Sequence, residues 1–189
     1  MENHNNMYTD IEYKKIKEKY GACASWAIWD VNDLSDTTII ENNILNLQNN
    51  YVLLALNKSI DIDLYCWKNF HGYDHARKLA YGCNNSLLRG SYMTDLFKDL
   101  PEAVASRLDK NLSSNDIEKN ISFFVKEMKD VKLRKDSKFI VFGKVAEKYF
   151  LKYFKQYFEN KFIIVRHYSD FRKSDEQWAS EFLGQIKSF

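Results

Sequence analysis

The segment Tyr51-Val52-Leu53-Leu54-Ala55-Leu56-Asn57 is a short apolar run that ends in a polar residue. A continuous run of this length is typical of a strand that is buried on both faces. Further candidate strands follow at 90–95, 138–142 and 162–165. The segment around Trp26 and Trp29 is rich in aromatic residues but indicates no particular element.

Helical patterns lie between these candidate strands. Capping-box spacing at Thr9-Asp10-Ile11-Glu12 predicts a helix over 10–20, and Ser174-Asp175-Glu176-Gln177 predicts another at the end of the chain. The other helices are expected at 74–81 (ending at Gly82), 101–109 (opened by Pro101), 117–128 and 145–158. Strands that alternate with helices indicate an α/β fold with a mostly parallel sheet, covered by helices on both sides.

Size and charge narrow the classes of protein that this chain can belong to. Its 189 residues fit a single domain spanning 1–189, and 45% hydrophobic residues are enough to form a core. The formal net charge of +2 excludes a generally polybasic nucleic-acid binder, although a local basic face stays open. There is no membrane-length apolar run and no signal peptide, so we predict a cytoplasmic protein that does not bind a membrane.

Polar residues follow the ends of all four candidate strands. In parallel α/β sheets, ligands bind outside the carboxyl ends of the strands. We therefore expect the functional residues there, in the segments Asn57-Lys58-Ser59, Thr94-Asp95, Gly143-Lys144 and His167-Tyr168-Ser169.

Motifs for cofactors and metals are weak or missing. No G-x-G-x-x-G, P-loop or G-x-S-x-G motif is present, so neither nucleotide-cofactor chemistry nor a nucleophile elbow is indicated. Cys66, His71, His75 and Cys83 could form a zinc site, but their spacing matches no compact zinc module and Cys-x-x-Cys is absent. We expect no metal and no organic cofactor.

The pair Asn57 and His167 suggests a specific chemistry. An amide at one strand end can hold a water molecule, and a histidine at another can donate a hydrogen bond to an oxygen that becomes anionic as a bond breaks. The simpler alternative is that Asn57 caps a helix and His167 satisfies a loop. The residue types alone leave both interpretations open.

Two short motifs resemble those of the uracil-DNA glycosylase superfamily. The run Leu54-Ala55-Leu56-Asn57-Lys58-Ser59 is similar to its first motif, G-x-N-P-[GS], and Val165-Arg166-His167-Tyr168-Ser169 is similar to its second, H-P-S. The intermediate landmarks fall in the same order, and the resemblance covers roughly 50–187. It implies a three-layer α/β/α sandwich with a central four-stranded, mostly parallel sheet and a base pocket at the strand ends.

The resemblance also implies roles for individual residues. Asn57 corresponds to the residue that positions water, and His167 to the one that stabilises the departing base anion. Phe70 would stack on the base, and Asp95 (or Thr94) would read its edge. The remaining positions are Lys58, Ser59, Tyr168 and Ser169, which complete the two motifs around the substrate, and Phe171 and Arg172, which occupy the loop that probes the DNA duplex.

The chain also departs from the superfamily pattern. Ala55 replaces a glycine, and Lys58 and Tyr168 replace prolines that shape the turns. Lys58 could contact a phosphate or pair with Asp95. An ionised Asp95 only accepts hydrogen bonds and would repel part of the edge of uracil, which points to a purine, a modified base or a lost activity.

The sequence therefore leads to one hypothesis and two alternatives. The first is a divergent DNA glycosylase that hydrolyses the N-glycosidic bond of a damaged or deaminated base. The second is an inactive relative that binds nucleic acid, a nucleotide or a protein. The third is a hydrolase of small nucleosides. The expected partners are thus DNA or a small nucleobase or nucleoside, and the sequence indicates no oligomeric state.

Overall fold

The computed structural model describes residues 7–58, 66–72, 76–98, 100 and 112–189. The helices of these segments are α1 (Asp10–Tyr20), α2 (Thr38–Glu41), α3 (Ala76–Cys83), α4 (Ser114–Asp130), α5 (Gly143–Tyr149) and α6 (Asp175–Lys187). The strands are β1 (Ala24–Trp26), β2 (Gln48–Asn57), β3 (Ser91–Phe97), β4 (Lys138–Phe142) and β5 (Phe162–Val165). The protein is an α/β protein, as the alternating pattern predicts.

In the described part of the chain, five strands form one sheet in the order β1-β3-β2-β4-β5. The four predicted strands run parallel to one another, and β1 adds an antiparallel edge beside β3. The prediction of a four-stranded sheet was therefore wrong, because β1 adds a fifth strand. This strand is three fully buried residues long, too short to show a period of two in the sequence.

Side chains of the sheet alternate between two hydrophobic cores. On one face, Val52 and Leu54 pack with residues of α1, α4 and α5. On the other, Leu53 and Ala55 pack with residues of α3 and α6. Each fully buried valine or leucine side chain stabilises the fold by about 1.5–3 kcal/mol. Helices therefore cover both faces of the sheet.

The local signals for helix starts are confirmed. The hydroxyls of Thr9 and Ser174 each accept a hydrogen bond from the backbone N–H three residues on, which completes both predicted capping boxes. The predicted helix at 117–128 is α4, which begins at Ser114 behind a third capping box. The predicted helix at 101–109 lies outside the described residues.

Two helix predictions need correction. The helix expected over 145–158 ends as α-helix at Tyr149 and continues as a wide π turn over Phe150–Phe154 and a 3₁₀ turn over Lys155–Tyr157. Phe150 and Phe154 are both fully buried, and the wide turn accommodates the two rings against the sheet. Gly82 does not end α3 but lies inside it. Glycine is needed at this position for packing, because a Cβ would approach Cδ1 of Phe182 in α6 to 2.8 Å.

The order of the strands reverses at β2. From β2 the chain goes to β3 on one side, and then crosses to β4 on the other side of β2. Such a reversal of strand order leaves an opening between the carboxyl ends of the two strands that flank it, here β2 and β4. Among the described residues, no helix combines the length and the apolar character needed to cross a membrane.

Candidate functional site

His167 follows β5 by two residues, and its ring orientation is set by Ser169. The backbone N–H of Ser169 donates to Nδ1 of His167 at 3.1 Å, and the Ser169 hydroxyl lies 2.7 Å from the same atom. Because Nδ1 accepts a backbone hydrogen, the neutral imidazole carries its own proton on Nε2. His167 can therefore act as a hydrogen-bond donor through Nε2. The ring stacks on Tyr168 with centroids 4.3 Å apart.

Gly143, the first residue after β4, makes room for this histidine. Its φ of +84° lies in the left-handed region that glycine adopts without strain. A Cβ at this position would lie 3.1 Å from Cβ of His167. The turn from β4 into α5 and the placement of His167 thus both depend on glycine here.

Asn57 is the last residue of β2, and hydrogen bonds fix the orientation of its amide. Its Nδ2 donates to the carbonyl oxygen of Lys58 at 2.9 Å and to that of Leu100 at 2.8 Å. With the amino group oriented in this way, Oδ1 is the acceptor atom of the side chain. The amide thus also joins the ends of β2 and β3.

Asp95 lies on β3 opposite Ala55 of β2, and its side chain is buried. Nδ2 of Asn69 donates to Oδ2 of Asp95 at 2.8 Å and to the carbonyl oxygen of Cys23 at 3.0 Å. Burial raises the pKa of Asp95 to about 6, although the charge of Lys98 and the hydrogen bond from Asn69 act in the opposite direction. The carboxyl group therefore changes its protonation state close to neutral pH.

Phe70 and Asn69 lie in a segment with unusual backbone conformation. Cys66, Trp67 and Phe70 have φ of 53°, 67° and 73°, in the left-handed region where residues with side chains are strained. Strained backbone of this kind is concentrated at functional sites. The segment brings the Phe70 ring into an edge-to-face contact with Tyr168, at a centroid distance of 6.4 Å.

Tyr168 connects the aromatic residues of the site. It is half-buried and also makes an edge-to-face contact with Phe142, at 5.1 Å between centroids. Burial and the charge of Asp95 raise the pKa of the Tyr168 phenol. The structure therefore brings Phe70, Asp95, His167 and Tyr168 into one connected group, with Asn69 as a member that no sequence pattern had indicated.

Thr94 points to the other face of β3, away from this group. Its hydroxyl donates to Oε1 of the fully buried Glu127 at 2.8 Å. The ammonium of Lys98 pairs with Oε2 of Glu127 at 2.9 Å and also binds the Thr94 hydroxyl. Of the two residues proposed to read a base, only Asp95 thus lies with Phe70 and Tyr168.

Lys58 and Ser59 are the remaining residues of the first motif. Lys58 is half-buried at the end of β2, and its charge helps to lower the pKa of Asp95. Ser59 lies outside the described residues.

The loop between β5 and α6 presents an exposed ring. Phe171 is 91% exposed, the highest value among the exposed large hydrophobic residues of the described chain. The adjacent Asp170 binds Arg166 at 2.7 Å and Arg172 at 2.8 Å, and both arginines lower the pKa of its carboxyl group. Nζ of Lys78 in α3 donates to the carbonyl oxygen of Asp170 at 2.5 Å. The loop is thus tied down around an outward-facing phenylalanine.

Three residues of the alternative zinc site, Cys66, His71 and Cys83, lie in the described segments. Within the described segments, no group of three or more His, Cys, Asp or Glu side chains could hold a metal ion. His71 is buried and stacks on Trp29 at 5.0 Å, and burial lowers its pKa to about 4. Cys83 is a fully buried free thiol. His75 lies outside the described residues.

Comparisons of the chain with models of known families, with curated proteins and with solved structures give no match. Any function for this protein therefore has to be inferred from its own residues and their geometry.

Proposed function

We propose that the protein is a divergent member of the uracil-DNA glycosylase superfamily that hydrolyses the N-glycosidic bond of a damaged or deaminated base in DNA. The observation that carries this proposal is the orientation of His167. The backbone N–H of Ser169 occupies Nδ1, so Nε2 is the donor atom at the carboxyl edge of the sheet. A neutral histidine that donates from a defined atom suits an oxygen that gains negative charge in the transition state.

In this proposal the base leaves as an anion. Nε2–H of His167 donates to a carbonyl oxygen of the base, where the charge of the breaking bond collects. Oδ1 of Asn57 accepts a hydrogen bond from the water that attacks the sugar carbon as the bond to the base breaks. The proton that this water loses goes to solvent, and the base anion takes up a proton from solvent after it has left. The Asn57 amide is oriented by its bonds to the carbonyl oxygens of Lys58 and Leu100, so little reorganisation is needed at that side of the reaction.

The loop around Phe171 supports DNA as the substrate rather than a free nucleoside. A base must leave the stack before an enzyme can act on it, and an apolar wedge next to cations helps to open a duplex. Phe171 is almost fully exposed and follows Asp170, which anchors Arg166 and Arg172 on either side. A free nucleoside has no base stack to open, so its hydrolysis would not require an exposed ring such as Phe171.

One observation favours the second candidate, a binding module without turnover. Tyr168 replaces the proline of the second motif, and its ring contacts both Phe70 and Phe142. It therefore occupies space beside the ring that is proposed to stack on the base. If Tyr168 prevents the base from reaching the position needed for cleavage, the residues around Phe70 and Asp95 bind nucleic acid or a nucleotide without cleaving it.

A base-release assay distinguishes the two candidates. Single- and double-stranded oligonucleotides that carry uracil, hypoxanthine, xanthine or a mismatched base are incubated with the protein, and free base and abasic sites are quantified. Release from any of these substrates supports the glycosylase. Binding of the same oligonucleotides without release, by protein that is folded by circular dichroism, supports the binding module.

A further inference from the structure

Asp95 is held in a defined orientation that limits how it can recognise a ligand. Asn69 uses both hydrogens of its amide, one on the Cys23 carbonyl oxygen and one on Oδ2 of Asp95. Oδ2 is therefore an acceptor in either protonation state of the carboxyl group. A proton on this group is best placed on Oδ1, away from the Asn69 donor.

The two protonation states of such a carboxyl group match different base edges. The neutral form donates from Oδ1 and accepts at Oδ2, which pairs with an N–H beside a C=O, as in uracil and hypoxanthine. The ionised form accepts at both oxygens, which pairs with two adjacent N–H donors, as on the edge of guanine. Each form repels the edge that suits the other.

We propose that Asp95, positioned by Asn69, reads the base edge in both states, taking a lactam edge when protonated and a two-donor edge when ionised. This inference rests on the proposed function in placing a base between Phe70 and the strand ends. It removes the conflict between a carboxylate and uracil, because the same side chain accommodates uracil once it is protonated.

The surroundings of Asp95 place this change of state close to neutral pH. Lys58 at the end of β2 and Lys98 after β3 favour the carboxylate, and Glu127 of α4 opposes it. Tyr168 after β5 stays neutral, because burial and the charge of Asp95 raise its pKa. Burial is the largest influence and brings the pKa of Asp95 to about 6.

The test measures binding of three nucleosides (uridine, inosine and guanosine) to the full chain by saturation-transfer NMR at pH 5 and pH 8. For the parent protein, uridine and inosine bind about tenfold more tightly at pH 5 than at pH 8, whereas guanosine, which carries a lactam edge as well as a two-donor edge, changes much less. Asp95→Asn keeps one donor and one acceptor at every pH, so it prefers uridine and inosine under both conditions.

Asn69→Ala tests the positioning role. Loss of its hydrogen bond removes an interaction that favours the carboxylate, so the midpoint of the pH dependence moves upward. The control is Asn85→Ala, which changes an exposed asparagine after α3 and leaves the midpoint in place.

The outcomes separate this inference from the proposed function. Nucleoside binding that changes preference with pH supports the role of Asp95, even if no base is released from any oligonucleotide. Nucleoside binding that is undetectable or independent of pH in folded protein overturns it, even if base release is observed.

Discussion

Nδ2 of Asn69 donates a 2.8 Å hydrogen bond to Oδ2 of Asp95, inside the protein and next to the carboxyl ends of the strands. The bond connects the strained segment after β2 to β3, which lies between β1 and β2 in the sheet. It holds a carboxyl group whose pKa burial has raised to about 6. A buried acid with such a pKa reduces stability at neutral pH, where it must ionise inside the protein, and groups with a shifted pKa are concentrated at functional sites.

The pH dependence of stability tests the state of Asp95. Its pKa of about 6 in the folded protein lies above the value near 3.9 in the unfolded chain, so the favourable contribution of the neutral acid is lost as the pH rises between these values. Asp95→Asn removes this loss. We expect its gain in unfolding free energy over the parent to grow by about 2 kcal/mol between pH 4 and pH 8, measured by urea denaturation.

Asp136→Asn is the control for this experiment. It removes an exposed carboxylate whose pKa is lowered by Arg134, so no gain is expected at pH 8. A stability difference between Asp95→Asn and the parent that stays constant with pH would contradict the assignment.

Gly143→Ala tests whether glycine positions His167. The new Cβ meets Cβ of His167 at 3.1 Å, and the backbone has a φ of +84° that alanine tolerates poorly. We expect the free energy of unfolding, measured by thermal denaturation, to fall by about 1–2 kcal/mol. We also expect the NMR chemical shifts of the His167 ring to change. The matched control is Gly184→Ala in α6, where a Cβ meets nothing within 4 Å. Equal behaviour of the two variants would contradict the steric account.

Thr94→Val separates Thr94 from the site. The hydroxyl of Thr94 binds the buried Glu127, so its loss leaves a buried charge with one donor fewer and costs about 1–3 kcal/mol of stability. Nucleoside binding stays at the parent level, because Thr94 faces away from Phe70 and Tyr168. The control is Thr38→Val on the surface, with little effect on stability. Weaker nucleoside binding by Thr94→Val without a loss of stability would show that Thr94 does take part in ligand binding.

Phe171→Ala tests the exposed ring as a duplex wedge. At 91% exposure the side chain contributes little to folding, so the melting temperature should not change. Release or binding at a base in double-stranded DNA falls about tenfold or more, while a single-stranded substrate is much less affected, because unstacking costs a few kcal/mol only in the duplex. Leu45→Ala, which shortens another exposed apolar side chain, leaves both substrates unchanged. An equal loss of release or binding on the single-stranded and double-stranded substrates would argue against a wedge.

The order of strands and helices could be predicted because its signals are local. The apolar run 51–56 and the capping boxes at Thr9 and Ser174 act within a few residues, and the structure contains the corresponding elements. The strand β1 gives no such local signal, because three buried residues are too few to show a period of two. Gly82 was misread as a helix end, since its actual role depends on Phe182 in another helix.

The site was less predictable for the same physical reason. The sequence could not decide between Thr94 and Asp95, because which of two neighbouring strand residues faces a given core depends on register. The pairing of Asp95 with Ala55 settles that question. Asn69 was missed because its approach to Asp95 requires the left-handed backbone of the segment that contains Cys66 and Phe70, which no residue type there indicates.

The most direct test of the account is single-turnover base release by the parent, Asn57→Ala and His167→Ala proteins, with Asn85→Ala as a control, on the best substrate of the oligonucleotide panel. We predict that release falls about 100-fold or more in both site variants, because each removes a group that acts on the transition state, and that the control keeps the parent rate. Release that survives in both site variants at the parent rate would contradict the assignment of Asn57 and His167.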